Sequence, residues 1–155
     1  MEGTYVGEER FGIVKGIAGG NLLVMGGDQS SALKGAEAAV DAMAGLSGVI
    51  TSFPGGVIGS GSKVGCRNYR FPMSASTNHA WCPTLKGVVD DSQVPDGVGS
   101  VYEVVVNGVD EAAIRAAMRS GIQAAAGTGR VLYIGASNFE GKLGPHRFHL
   151  HDLFN

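Results

Sequence analysis

Two short runs constrain this chain more than anything else in it: Leu22-Leu23-Val24-Met25 and Val131-Leu132-Tyr133-Ile134. Side chains alternate between the two faces of a strand, so a run with no charged or strongly polar position has to be covered on both faces. Two amphipathic helices are legible as cover for one of them. In the first, Leu33, Ala36, Val40 and Met43 share a face, while Lys34, Glu37 and Asp41 lie off it. Asp28, Ser30 and Ser31 are candidate N-caps and Gly45 the stop. The second starts at an Asp110 cap and carries the stripe Ile114, Ala117, Met118, Gly121, Ile122 and Ala125. Arg115 and Arg119 lie off that stripe, and Gly127 and Gly129 end the helix.

Strand-like segments rich in Val, Ile, Leu and Tyr flank both helices: Phe11–Ile17, Leu22–Met25, Val49–Phe53, Val101–Val106 and Val131–Ile134. The order is strand, helix, strand, a long insertion, then strand, helix, strand. That is the split βαβ pattern of the ferredoxin-like α+β fold, an antiparallel sheet with two helices on one face. The 155 residues fit one such lobe over 1–155, with the insertion between its second and third strands. Ile17-Ala-Gly-Gly-Asn21-Leu22 is weakly echoed by Ile134-Gly-Ala-Ser-Asn138-Phe139, as two βαβ units would allow. Helices in this fold cover one face only, so a second lobe, another subunit or both are expected over the other.

The insertion from Pro54 to Ser100 is glycine-rich, polar and broken by Pro54, Pro72, Pro83 and Pro95, yet Phe53, Tyr69, Phe71 and Trp81 can anchor it. Long loops in compact domains are usually functional or disordered, and the anchors favour a binding surface. Glycine is abundant throughout, at 26 residues, which points to many shaped turns. A net charge of −2 points to neither nucleic acid nor an anionic membrane as partner. No strand carries the aromatic pattern of an RNA-recognition motif. Cys66 and Cys82 form no metal or redox pair, the opening residues resemble no signal peptide, and no apolar run is long enough to span a bilayer. A soluble, cytoplasmic protein is expected.

Several motifs invite a chemistry that their spacing does not support. Gly56-x-x-x-x-Gly61-Ser62-Lys63 has the Lys and Ser of a phosphate loop in reversed order, and Gly59-x-Gly61 meets its next glycine at Gly65, one position late for a dinucleotide fingerprint. His79, His146, His149 and His151 lack a convergent ligand spacing, which favours ordinary surface or interface histidines over a metal. Ser74-Ala-Ser-Thr-Asn78 lacks a nucleophile elbow and reads as a polar turn or as binding residues. Glu103 shares a strand face with Val101 and Val105, so its carboxyl is expected to be partly desolvated. The alternative is a salt bridge on a wet sheet face.

Four stretches resemble the formylmethanofuran–tetrahydromethanopterin formyltransferase family. They are Phe53-Pro-Gly-Gly-Val57 with Ser60-Gly-Ser-Lys-Val-Gly65; Ala75-Ser-Thr-Asn78 leading into Trp81-Cys-Pro-Thr84; Val101-Tyr-Glu-Val-Val-Val-Asn-Gly108; and Asn138-Phe-Glu-Gly-Lys-Leu-Gly-Pro145 with Leu150-His-Asp-Leu-Phe154. They occur in family order and spacing across nearly the whole chain. The resemblance implies the C-terminal, distal lobe of a two-lobed acyltransferase of one-carbon metabolism, assembled into oligomers with substrates in clefts between lobes and subunits. It implies Glu103 as the acid–base residue and Gly55, Gly56, Lys63, Ser76, Thr77, Asn78, Asn138 and Lys142 as substrate-binding residues. Methanofuran and tetrahydromethanopterin are then carrier substrates, with no metal and no tightly bound cofactor. The implied partners are the missing N-terminal lobe, further copies in a homo-oligomer, and a formylmethanofuran dehydrogenase or hydrolase complex. The isolated lobe would be inactive. The competing expectation is a non-catalytic ferredoxin-like module for oligomerisation or ligand sensing.

Overall fold

The structure, a computed structural model, describes residues 3–4, 6–61, 78–137 and 145–155. Seven elements of regular structure organise it: β1 (Ile17–Gly26), α1 (Gln29–Ala44), β2 (Val49–Thr51), β3 (Ile58–Gly59), β4 (Ser100–Gly108), α2 (Glu111–Gly127) and β5 (Val131–Gly135). The sheet runs β2-β4-β1-β5, and β3 joins it by pairing with β4 beyond the end of β2. Every pairing is antiparallel. It follows that β1 and β2, joined through α1, run parallel with β4 inserted between them. Likewise β4 and β5, joined through α2, run parallel with β1 between them.

Both helices begin where a carboxylate satisfies backbone donors that no helical carbonyl can reach. Asp28 accepts from the Ser31 amide at 2.8 Å and Asp110 from the Ala113 amide at 2.8 Å. Each then lays its stripe on the same sheet face. Leu22 and Val24 of β1 and Val104 and Val106 of β4 are fully buried there against Ala36, Ala39, Met43, Ile114, Ala117 and Met118. The helices approach closely because small residues face them: a Cβ at Gly35 would overlap Val131 Cγ2 and lie 3.0 Å from Val24 Cγ1. The C-terminal tail adds to this layer. Leu153, in the 3-10 turn Leu150–Leu153, is buried in the same core, and Arg115 and Arg119 lie over the rings of Phe148 and Phe154.

The other face corrects an expectation. Leu23 and Met25, the remaining half of the β1 run, are at 0% and 2% exposure without any second lobe. The chain's own insertion covers them. Val94 and Val98 pack with Leu23, Met25 and Val101, and Trp81 closes the cluster. The covering segment is pinned by the Gly99 amide on the Gly26 carbonyl at 3.0 Å and by Lys86 on Asp96 at 2.6 Å. The second run is less enclosed. Val131 and Ile134 pack on the helix-side core, while Leu132 and Tyr133 stay about half exposed.

Two strand boundaries also differ from expectation. Residues 11–16 form no strand, and Phe11, Ile13 and Val14 are exposed. The reason is register: Ile17 already sits opposite Gly108, the last residue of β4, so the sheet offers nothing further to pair with. The second strand ends at Thr51 rather than Phe53, because Phe53 takes a φ of 68° as the chain turns into Pro54.

Two outcomes follow. Gly35→Ala gains helix propensity of about 1 kcal/mol, but the new methyl meets two stiff valines, and overpacking of this kind costs about 1–3 kcal/mol. Urea denaturation should therefore show a net loss of stability. Asp28 is the second case. Its hydrogen bonds from the Ser31 amide and hydroxyl hold the carboxyl below its ordinary range. A depressed folded value makes the cap stabilising at neutral pH and removes that contribution as pH falls through the folded value. The stability gap between wild type and Asp28→Ala should narrow in acid and stay constant from pH 6 to 8.

Candidate active site

β1, β4 and the insertion converge on one carboxylate. Alternation along β4 sends Val104 and Val106 to the helices and Val101, Glu103, Val105 and Asn107 to the opposite face. Register places Glu103 opposite Leu23 of β1 on one side and Ile58 of β3 on the other. Two residues back along β1, Asn21 therefore points to the same face and donates through Nδ2 to Glu103 Oε2 at 3.1 Å. Ser60 follows β3 directly, held by its amide on the Val101 carbonyl at 3.0 Å, and its hydroxyl bonds Glu103 Oε1 at 2.8 Å. Asn78, at the start of the 3-10 turn His79–Trp81, donates through Nδ2 to the same oxygen at 2.9 Å.

These three partners are themselves buried, at 8%, 7% and 9% exposure for Asn21, Ser60 and Asn78. Buried polar groups need partners, so their orientations are fixed. Asn21 is fixed twice, since its Oδ1 accepts from the Ser137 amide at 3.0 Å. Glu103 itself is half-buried. Its described partners are three neutral donors, not the cation of a surface salt bridge. Further along the same face, beyond Val105, Asn107 accepts from the Gly19 amide at 2.8 Å and donates to Ser52 Oγ at 3.3 Å, a second polar link between β1, β4 and the end of β2.

An open cleft of about 550 Å³ shares Ser60 with this network and is lined by Gly59–Gly61, by Cys82–Leu85 and by Val101 and Tyr102 of β4. Two of these segments touch. A Cβ on Gly61, whose φ is 72°, would overlap Cys82 Cβ and lie 2.8 Å from its sulfur, so glycine alone fits. Cys82 is a buried free thiol. Among the described residues no three His, Cys, Asp or Glu side chains converge, and His79 and His146 instead pair with Asp91 and Glu111. No described helix is long and apolar enough to cross a membrane.

Of the residues expected at the site, Glu103 and Asn78 are brought together. Gly55 and Gly56 are elsewhere: both have positive φ in the turn after Phe53, and Gly56 is buried with Val40 of α1 and Thr51 so close that a Cβ would lie 2.7 Å from Val40 Cγ1. Lys63, Ser76, Thr77, Asn138 and Lys142 lie outside the described residues. Sequence reasoning missed Asn21 and Ser60. Asn21 had a signal, as the one amide beside a strand run otherwise apolar and half of the internal echo. Ser60 had none beyond its place in a glycine-spaced motif, because its contact spans 43 residues.

Comparison with known proteins is consistent across sequence and structure. The family model described as "FTR, proximal lobe" matches residues 3–153. The chain is 54% identical, over 99% of its length, to the formylmethanofuran–tetrahydromethanopterin formyltransferase of Methanocaldococcus jannaschii, and 51% identical to that of Methanothermobacter thermautotrophicus. It spans about half the length of these curated relatives, covering 52% of each. Among solved structures it is similar to the Methanosarcina barkeri formyltransferase, with a TM-score of 0.80 and 49% identity over 90% of this chain and 46% of that one. A formyltransferase/hydrolase complex from Methylorubrum extorquens with methylofuran gives a TM-score of 0.76 and 42% identity over the same shares. The family description corrects the distal placement implied by the motifs, since short motifs identify a lobe without fixing where it sits in an assembly. With its model matched across nearly the whole length, the chain belongs to the formylmethanofuran–tetrahydromethanopterin formyltransferase family, in the part described as the proximal lobe.

Proposed function

We propose that this chain is one ferredoxin-like lobe of an enzyme that transfers a formyl group between formylmethanofuran and tetrahydromethanopterin, with Glu103 as its acid–base residue. The observation that carries the reading is identity near 50% over 99% of the chain to relatives bearing that name. The interleaved parallel pairs β1/β2 and β4/β5, with both helices on one face, support the ferredoxin-like assignment. A carboxylate positioned by three buried side chains beside a cleft favours catalysis over the alternative of a bare pairing module.

The chemistry needs little else. The secondary amine of the pterin attacks the formamide carbonyl, giving a tetrahedral intermediate. Donors must stabilise its oxyanion, and a proton must reach the departing amine. Glu103 carries that proton. Asn78, Ser76, Thr77 and Lys63 of the insertion, with Asn138 and Lys142, form the carrier-binding surface in this reading, and Gly55 and Gly56 shape the turn that leads into it. Methanofuran and tetrahydromethanopterin act as substrates without a tightly bound cofactor. The partners are the other lobe, further copies of the chain, and a formylmethanofuran dehydrogenase or hydrolase complex of the kind named for the Methylorubrum relative. The site of action is the cytoplasm.

Two measurements test this. The chain alone should show little formyl transfer, and adding the half that its relatives carry beyond it should restore turnover. Substantial turnover by the chain alone would remove the single-lobe reading, and none in either state would remove the formyltransferase reading. In the complete enzyme, Glu103→Gln should lower kcat by roughly a hundred- to ten-thousandfold with a much smaller change in KM. The substitution also has a structural cost. Glutamine offers one acceptor oxygen where two asparagine amides donate, and Asn21 is held by Ser137, so either Asn78 turns over or one donor faces another. A buried donor left facing another donor costs about 1–3 kcal/mol, so turnover should be scored per folded molecule. Near-wild-type kcat would remove Glu103 from the mechanism.

A further inference from the structure

We infer that the Ser60 hydroxyl is the proton relay between Glu103 and the substrate in the cleft, the only one of the three buried groups around the carboxylate that can serve as one. The inference rests on the formyl-transfer reading and deepens it. Among the described residues three side chains hold the Glu103 carboxylate, and they are not chemically equivalent. Asn21 and Asn78 each present an amide nitrogen, which donates and cannot accept. Their bonds hold the carboxylate but have no lone pair to take a proton from it. A hydroxyl both donates and accepts, so Ser60 alone can reverse its bond when Glu103 is protonated.

Position singles out the same residue. Ser60 lines the cleft, whereas Asn21, Asn78 and Glu103 itself are not among the residues that form its walls. Ser60 Oγ stands 2.8 Å from Glu103 Oε1, a distance at which a proton passes directly. Its rotamer is restrained by burial at 7% exposure, and its backbone by the bond to Val101 and by the positive φ of Gly61 beside it.

The proton count closes. When the pterin nitrogen attacks the formyl carbon, the new C–N bond leaves that nitrogen positively charged. Its proton passes to Ser60 Oγ as the Ser60 hydroxyl proton passes to Glu103. On collapse the old C–N bond breaks, and its electron pair takes the Ser60 hydroxyl proton as Glu103 returns its own proton to Ser60 Oγ. Serine ends as a neutral hydroxyl and Glu103 as a carboxylate, with nothing consumed besides the two carriers.

The test uses the complete active enzyme. Ser60→Ala should lower kcat by roughly a hundredfold, at the low end for acid–base groups, with KM little changed. Ser60→Thr and Ser60→Cys should each recover part of the loss, because each restores a group that can donate and accept. A purely structural role would not predict the second readout. The wild-type rate measured against deuterium fraction in the solvent, under single-turnover conditions, should curve as expected for two protons moving together, and the residual rate of Ser60→Ala should depend on it linearly. Undiminished kcat in folded Ser60→Ala, or a linear dependence in wild type, would overturn the relay. If Glu103→Gln is inactive while Ser60→Ala is not, the relay alone falls. If the wild-type enzyme transfers no formyl group, the functional reading falls with it.

Discussion

Burial of β1 on both faces is the constraint on which the rest of this lobe depends. Leu22 and Val24 belong to the core under the helices, and Leu23 and Met25 to the core under the insertion. Fully burying side chains of this size contributes about 1.5–3 kcal/mol each, and four consecutive residues collect it in opposite directions. Neither layer can be removed without exposing half the strand. The insertion is thereby a structural layer, and the carboxylate network it helps build is fastened to the most buried of the described strands.

That fastening explains how a carboxylate can be positioned by parts of the chain so distant in sequence. Asn21 comes from β1, Glu103 from β4, Ser60 from the end of β3 and Asn78 from the insertion. Strand pairing sets the first two to within a residue, because a one-residue slip would turn each to the other face. Register therefore places the asparagine and the glutamate on one face, while the apolar clusters around them exclude alternatives. The polar groups cost desolvation, and their mutual hydrogen bonds offset it. Such a network is also exacting, since Asn21 is held from both sides and cannot turn without losing a partner.

Much of this was legible in the residues themselves. The two helices, the Asp110 cap and the stripe from Ile114 to Ala125 follow from local periodicity and capping, and the structure selects Asp28 among the three cap candidates of the first helix. The face occupied by Glu103 followed from alternation along Val101–Val106. The strand expected over residues 11–16 failed for a non-local reason: those residues have strand composition, but the partner strand has already ended. Phe53 failed for a local reason, carrying an aromatic side chain suited to a strand at a position where the backbone turns with a φ of 68°.

By itself, the sequence determined the helix faces, the double burial of Leu22–Met25, the antiparallel order of strands and the family to which the chain belongs. These depend on periods of two and 3.6 residues and on motifs contiguous in the chain. Only the tertiary structure decided what covers Leu23 and Met25, and which partners surround Glu103. Those outcomes depend on contacts across 25 to 82 residues, and no local pattern reports how a loop of that length folds back. Ser60 is the clearest case: in the chain it is a serine between glycines, and only the pairing of β3 with β4 brings its hydroxyl to the carboxylate.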